Sequence, residues 1–183
     1  ATPERDIFLG KAASKSAVMS ADLSDRRVVA FATHGLLAGE YPGVEQPALA
    51  LANPGDGQHG LLTLDDILSL KLDADWVILS ACNTSAGDGQ GGEAISGLGR
   101  GFFYAGTRAL LVTHWPVETV SAKQLVVGIF QALTATPGLA RAQALQQSML
   151  KVMAEQGQDE AFRFRYAHPM FWAPYALVGD GGM

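Results

Sequence analysis

Chemistry in this sequence begins at its one cysteine. Cys82 closes the run Asp75-Trp76-Val77-Ile78-Leu79-Ser80-Ala81, and the next ten residues, Asn83-Thr84-Ser85-Ala86-Gly87-Asp88-Gly89-Gln90-Gly91-Gly92, are too polar and glycine-rich to prolong a strand. A second apolar run, Val28-Val29-Ala30-Phe31-Ala32, stops the same way at Thr33-His34-Gly35. A thiol attacks as thiolate, and an imidazole beside it either takes its proton or stabilises its charge. His34 stands 48 residues before Cys82. If the two runs are parallel neighbours, imidazole and thiol face each other across one cleft. Gly35 then leaves backbone N–H groups open to an incoming carbonyl oxygen, and the amide of Cys82 is a second donor, together an oxyanion hole. A lone cysteine with histidine elsewhere in the chain is a candidate nucleophile. The plainer reading of Cys82 is a small buried hydrophobe.

These residues need elements that bring them together. Trp76 to Ser80 lacks polar alternation, which predicts a strand buried on both faces of a parallel sheet. Val28 to Ala32 and Ala109-Leu110-Leu111-Val112-Thr113 predict two more strands, the last ending in His114-Trp115-Pro116. In an open α/β sheet the carboxyl edge of such strands is where ligands bind. A helix is expected within Lys11 to Ser20. A hairpin is expected from Leu49-Ala50-Leu51-Ala52-Asn53 through Pro54-Gly55-Asp56-Gly57, overhanging that edge. Thr63 caps a short helix with an acid three residues on, Asp66, and Leu64, Ile67 and Leu68 on its inward side. Glu93 to Tyr104 reads as a helix whose Gly97, Gly99 and Gly101 let it lie close against the sheet. Two amphipathic helices, Thr119 to Leu133 and Gly138 to Glu155, precede a last strand, Tyr175 to Val178, beside the third. Strands alternating with helices predict an α/β fold, a three-layer sandwich around a mostly parallel sheet.

Composition narrows the function. A chain of 183 residues, 48% hydrophobic and 17% charged, suits one domain over residues 1–183. With 13 basic and 18 acidic side chains, net charge −5 and no Lys/Arg cluster, nucleic acid is not expected as a direct partner. No apolar run nears the roughly 20 residues that span a bilayer, and Ala1 to Asp6 lacks the order of a signal peptide, so the expectation is no membrane and a cytoplasmic location. Gly87 to Gly92 satisfies G-x-G-x-x-G but begins seven residues after Ser80, and no acid lies beyond it at ribose distance, so a loop shaping the cleft is the better reading. No phosphate-binding G-x-x-x-x-G-K-S/T and no G-x-S-x-G occurs. His59, His114 and His168 lack ligand spacing; neither metal nor cofactor is expected. Asp65, Asp66 and Glu93 are candidates for orienting His34 or lining a pocket, against the simpler view that they sit at helix starts, where negative charge is favourable.

The separation of His34 and Cys82 also matches the roughly 50 residues between the caspase histidine and cysteine. Ala32-Thr33-His34-Gly35, Leu79-Ser80-Ala81-Cys82-Asn83-Thr84, Gly92-Glu93-Ala94 through Phe103-Tyr104-Ala105-Gly106, Trp115-Pro116-Val117, and His168-Pro169 through Trp172 to Leu177-Val178-Gly179-Asp180 closely resemble the CHAT domain. That family is caspase-like, related to separase, and often joined to tetratricopeptide repeats. The resemblance implies a caspase-like α/β/α sandwich with His34 and Cys82 as a dyad that cleaves a protein or peptide substrate through a thioester acyl-enzyme. It implies a substrate lying along Thr113 to Val117, beside Trp115 and His114, and a tetratricopeptide-repeat segment or regulatory protein as partner. The chain departs from the family in three places. His114 and Glu118 flank Trp115-Pro116-Val117 where an apolar residue and an aspartate are usual. Ser80 stands where metacaspases hold an acid for a basic substrate side chain, so an uncharged or small residue is expected before the cleaved bond. Few residues precede Val28, whose strand then has an uncovered edge that invites pairing, and the chain reads as the C-terminal part of a larger domain or protein. The alternative is a catalytically idle caspase-like module that only binds a partner; a third reading is a thioesterase or acyltransferase using the same thiol.

Overall fold

The computed structural model describes residues 6–40, 42–53, 55, 59–80, 97–155 and 165–182. In chain order its elements are α1 (Lys15–Ser20), β1 (Val28–Phe31), β2 (His34–Leu36), β3 (Ala48–Ala50), β4 (Leu61–Thr63), α2 (Leu64–Ser69), β5 (Trp76–Leu79), α3 (Gly97–Ala105), β6 (Ala109–Thr113), α4 (Thr119–Ala135), α5 (Arg141–Ala154), α6 (Pro169–Trp172) and β7 (Tyr175–Gly179). The main sheet has the order β1-β5-β6-β7, and a second sheet has the order β2-β3-β4. β1, β5 and β6 run parallel, as their apolar runs predict; β7 pairs antiparallel with β6.

All residues of β5 and β6 are buried, because each face of the sheet carries a helical layer. Val77, Leu79, Leu110 and Val112 pack on one side with Ile67 of α2 and Leu98 and Phe102 of α3. Trp76, Ile78 and Leu111 pack on the other with Leu125 and Ile129 of α4 and Leu145 and Val152 of α5. The molecule is the expected three-layer α/β/α sandwich. β1 stands at the end of the sheet, and of its residues Phe31 is buried while Val28 and Ala30 are exposed. The Val28 run is thus the edge strand whose uncovered side was expected, with one face open.

The capping box at α2 is present. Asp66 N–H donates to Thr63 Oγ1 at 3.4 Å while the Asp66 carboxylate accepts from Thr63 N–H at 2.8 Å. Ile67 is fully buried, but Leu68 is exposed, because α2 ends one residue later and its last turn faces solvent. The glycines of α3 bring it against α2 rather than the sheet: a Cβ on Gly101 would lie 2.7 Å from Leu64 Cδ1. The helix begins at Gly97 in the described residues; Glu93 to Ser96 lie outside them. α1 begins at Lys15, capped by the Ser14 hydroxyl, later than the sequence suggests.

Candidate active site

The carboxyl edge of the main sheet carries Ser80, Thr113, His114 and Trp115, and strand register explains how. Every pair in the parallel β1/β5 ladder joins residues 48 positions apart, from Val28 with Trp76 to Phe31 with Leu79. Ser80 N–H continues the ladder, donating to Phe31 O at 3.1 Å. His34 lies three residues beyond Phe31, and Cys82 three residues beyond Leu79. Cys82 itself lies outside the described residues, as do Glu93 and the Gly87–Gly92 stretch.

His34 is not in the loop that the sequence suggests. The chain bends at Thr33, whose Oγ1 donates to Ala50 O, and His34 then opens β2, opposite Ala50 of β3. The hairpin thus supplies the ladder that holds the histidine. His34 is exposed, and the described residues give its imidazole no hydrogen-bond or ion-pair partner. Asp65 and Asp66 face elsewhere, in contact with Gln46 and with Lys15 and Thr63 respectively.

The same ladder sets the direction of the Gly35 amide. Leu51 N–H donates to Gly60 O at 2.6 Å, which makes Leu51 and Gly60 a hydrogen-bonded pair. Such pairs alternate along antiparallel strands, so the backbone groups of Leu49 turn to β4 and those of Ala50 to β2. Gly35 is opposite Leu49, and its N–H consequently points away from β3, free of the ladder.

Across the sheet, Leu79 pairs with Val112, which sets Ser80 beside Thr113, and Thr113 pairs with Tyr175. Ser80 Oγ and Tyr175 Oη share a hydrogen bond of 3.3 Å. Burial pushes the Tyr175 phenol above its ordinary pKa, with the Ser80 contact pulling weakly the other way. Thr113 is fully buried, and His114 N–H donates to Pro174 O at 2.9 Å, so the β7 side of this stretch is already paired. Trp115 is 37% exposed. Its Nε1 donates to Met170 O at 3.4 Å and its ring lies 6.3 Å from that of His114. Tyr175, Thr33 and Met170 were not legible as site residues: register across β6 brings Tyr175 to Ser80, the bend before β2 brings Thr33 to Ala50, and Met170 of α6 meets the Trp115 ring nitrogen.

Among the described residues no three His, Cys, Asp or Glu side chains gather as for a metal ion, and no helix is long and apolar enough to cross a membrane. A pocket lined by Met19, Asp22, Leu23, Leu70 and Lys71, among others, lies at the ends of α1 and α2 and shares no residue with the sheet edge. No curated protein matches the chain. The family model described as CHAT domain matches residues 1–180, covering the strands, helices and edge residues above. The chain belongs to the CHAT domain family, whose fold is caspase-like and related to peptidases.

Proposed function

We propose that the chain is a cysteine endopeptidase that hydrolyses peptide bonds with Cys82 as nucleophile and His34 as acid and base. The observation that carries this reading is the register: neighbouring parallel strands pair residues 48 apart, the same separation as His34 and Cys82. In this account the Cys82 sulfur, its proton passed to the imidazole, attacks the scissile carbonyl carbon. Negative charge on the carbonyl oxygen is met by the amides of Gly35 and Cys82. The carbon–nitrogen bond breaks as His34 protonates the leaving amine, and a thioester remains. Water, deprotonated by His34, attacks the thioester; a carboxylate leaves and the thiol re-forms.

The unladdered Gly35 amide supports the oxyanion role. Beyond His114, Trp115 and Val117 carry no backbone–backbone hydrogen bond among the described residues, which suits an extended peptide added along that stretch. Ser80, Thr113, His114, Trp115 and Glu93 are proposed to border it. The partner in this reading is a protein or peptide substrate, with a tetratricopeptide-repeat segment or regulatory protein controlling access.

A peptidyl chloromethyl ketone tests the reading. The expected result is one covalent adduct, found at Cys82 by mass spectrometry, lost in His34→Ala and competed by peptide but not by acyl thioesters. No adduct, together with unchanged cellular function in Cys82→Ala, would favour the idle binding module. Competition by acyl thioesters alone would favour acyl transfer.

A further inference from the structure

We infer that Tyr175 is a positioning residue: through its hydrogen bond to Ser80 it fixes the strand end that leads into Cys82. This rests on the peptidase reading and adds to it a residue 93 positions from the nucleophile.

Ser80 is half-buried, and it is tied on two sides at once. Its N–H donates to Phe31 O at 3.1 Å, joining it to β1. Its hydroxyl meets Tyr175 Oη at 3.3 Å, reaching past Thr113 to β7. The two attachments therefore span the whole sheet at one level. From that level, where the 48-residue register sets Ser80 beside Ala32, the chain runs two residues to His34 on one side and two residues to Cys82 on the other.

Among the described residues the Tyr175 hydroxyl has one hydrogen bond, that to Ser80 Oγ. Around it the sheet carries the apolar Ile78, Leu111 and Leu177, with Thr113 directly opposite, and a phenylalanine would fill the same volume. A buried hydroxyl needs a partner, and the partner it has is the residue that precedes the nucleophile by two. Backbone pairing holds a strand end against sliding along its neighbour only as well as its last bond; a side-chain bond from across the sheet restrains it further. A thiol and an imidazole share a proton only within hydrogen-bond reach, so this restraint acts on the chemistry.

Cys82 is the only cysteine, so iodoacetamide alkylation reports on it alone. The experiment measures the alkylation rate against pH for the wild type, Tyr175→Phe, Ser80→Ala, the double variant, Ser80→Thr and His34→Ala, with the melting temperature of each. Tyr175→Phe and Ser80→Ala are each expected to move the reactive limb toward the pH of an ordinary thiol, about 8.5. At neutral pH each slows alkylation by about three- to tenfold, since small displacements of reacting groups cost rates of that order or more. The double variant is expected to lose no more than either single one, the signature of two groups in one interaction. Ser80→Thr, which keeps the hydroxyl, is expected to retain the wild-type profile.

A merely structural hydroxyl lowers the melting temperature and leaves the pH profile in place; that result overturns the proposal. Losses that multiply in the double variant overturn it as well, because the two hydroxyls then act separately. A shifted profile in His34→Ala beside unshifted profiles in Tyr175→Phe and Ser80→Ala rejects the tether and leaves the dyad standing. A His34→Ala profile identical to the wild type rejects the dyad, and the tether with it.

Discussion

A thiolate is as reactive as its neighbours allow, and at the residue scale the account places one imidazole and two amides around it. His34 is exposed, and its imidazole has no partner among the described residues. His34→Gln is expected to lower kcat/KM by about 10²–10⁴, the range of a lost general acid and base, with little change in melting temperature; equal activity in the variant would rule out the role. Gly35 offers a sharper test. Its amide points away from β3, and proline is tolerated in an edge strand where the missing N–H faces outward. Gly35→Pro is expected to cut kcat by about 10²–10³, as loss of one oxyanion donor does, while circular dichroism still reports a folded chain. A normal kcat would remove Gly35 from the oxyanion hole. His34, Gly35 and Cys82 stand out as candidates in the sequence because each lies just beyond an apolar run. Tyr175 does not: its contact with Ser80 joins residues 95 positions apart, and no local pattern encodes that.

At the scale of elements, the caps and turns read most clearly because their signals are local. Thr63 and Asp66 form the expected box, and Lys15 Nζ adds an ion pair with Asp66 at 2.7 Å that ties α1 to α2. Thr63→Ala should destabilise the fold by about 1 kcal/mol in urea unfolding. Burial pushes the Asp66 carboxyl up, yet the Lys15 contact and the Thr63 hydrogen bonds outweigh it and hold its pKa below the ordinary value. A depressed folded pKa means that Asp66 contributes stability above its unfolded pKa and loses it as pH falls through the folded one. Compared with Asp66→Asn, the wild type should therefore lead at neutral pH, with the gap closing below about pH 4. A constant gap would refute the linkage. Gly106, just after α3, has φ +112°, and a Cβ there would meet Leu72 O at 2.2 Å. Gly106→Ala should cost about 2 kcal/mol or more, and a smaller loss would mean that the backbone yields. β2 escaped the sequence reading because three residues show no periodicity. Its strand character comes from a hairpin partner 12 to 16 positions away, once the chain has bent at Thr33.

Across the whole molecule, the two edges of the main sheet have different work. At the amino edge, Asp75 pairs with Arg27 at 2.7 Å and Arg141 at 3.4 Å; Arg141 also reaches Asp180 at 2.9 Å and stands 6.0 Å from the Trp76 ring. This network joins β5, α5 and the chain after β7, and none of it touches the carboxyl edge. Arg141→Ala should lower stability by about 1 kcal/mol or somewhat more, since its pair with Asp75 is half-buried rather than fully solvated and the ring contact adds to it, with kcat/KM unchanged. A fall in kcat/KM without a fall in melting temperature would mean that the two edges communicate. The layered architecture was legible because fully apolar runs admit few alternatives to a doubly covered parallel sheet. The place of β1 at the end of the sheet agrees with the uncovered edge expected of the Val28 run. The central claim is that His34 and Cys82 act together on peptide bonds, and cleavage of a diverse peptide library by the wild type, Cys82→Ala and His34→Ala tests it most directly. The account predicts cleavage after a preferred uncharged or small residue by the wild type and none above background by either variant. Cleavage that survives Cys82→Ala, or a wild type that cuts nothing in the library, would contradict it.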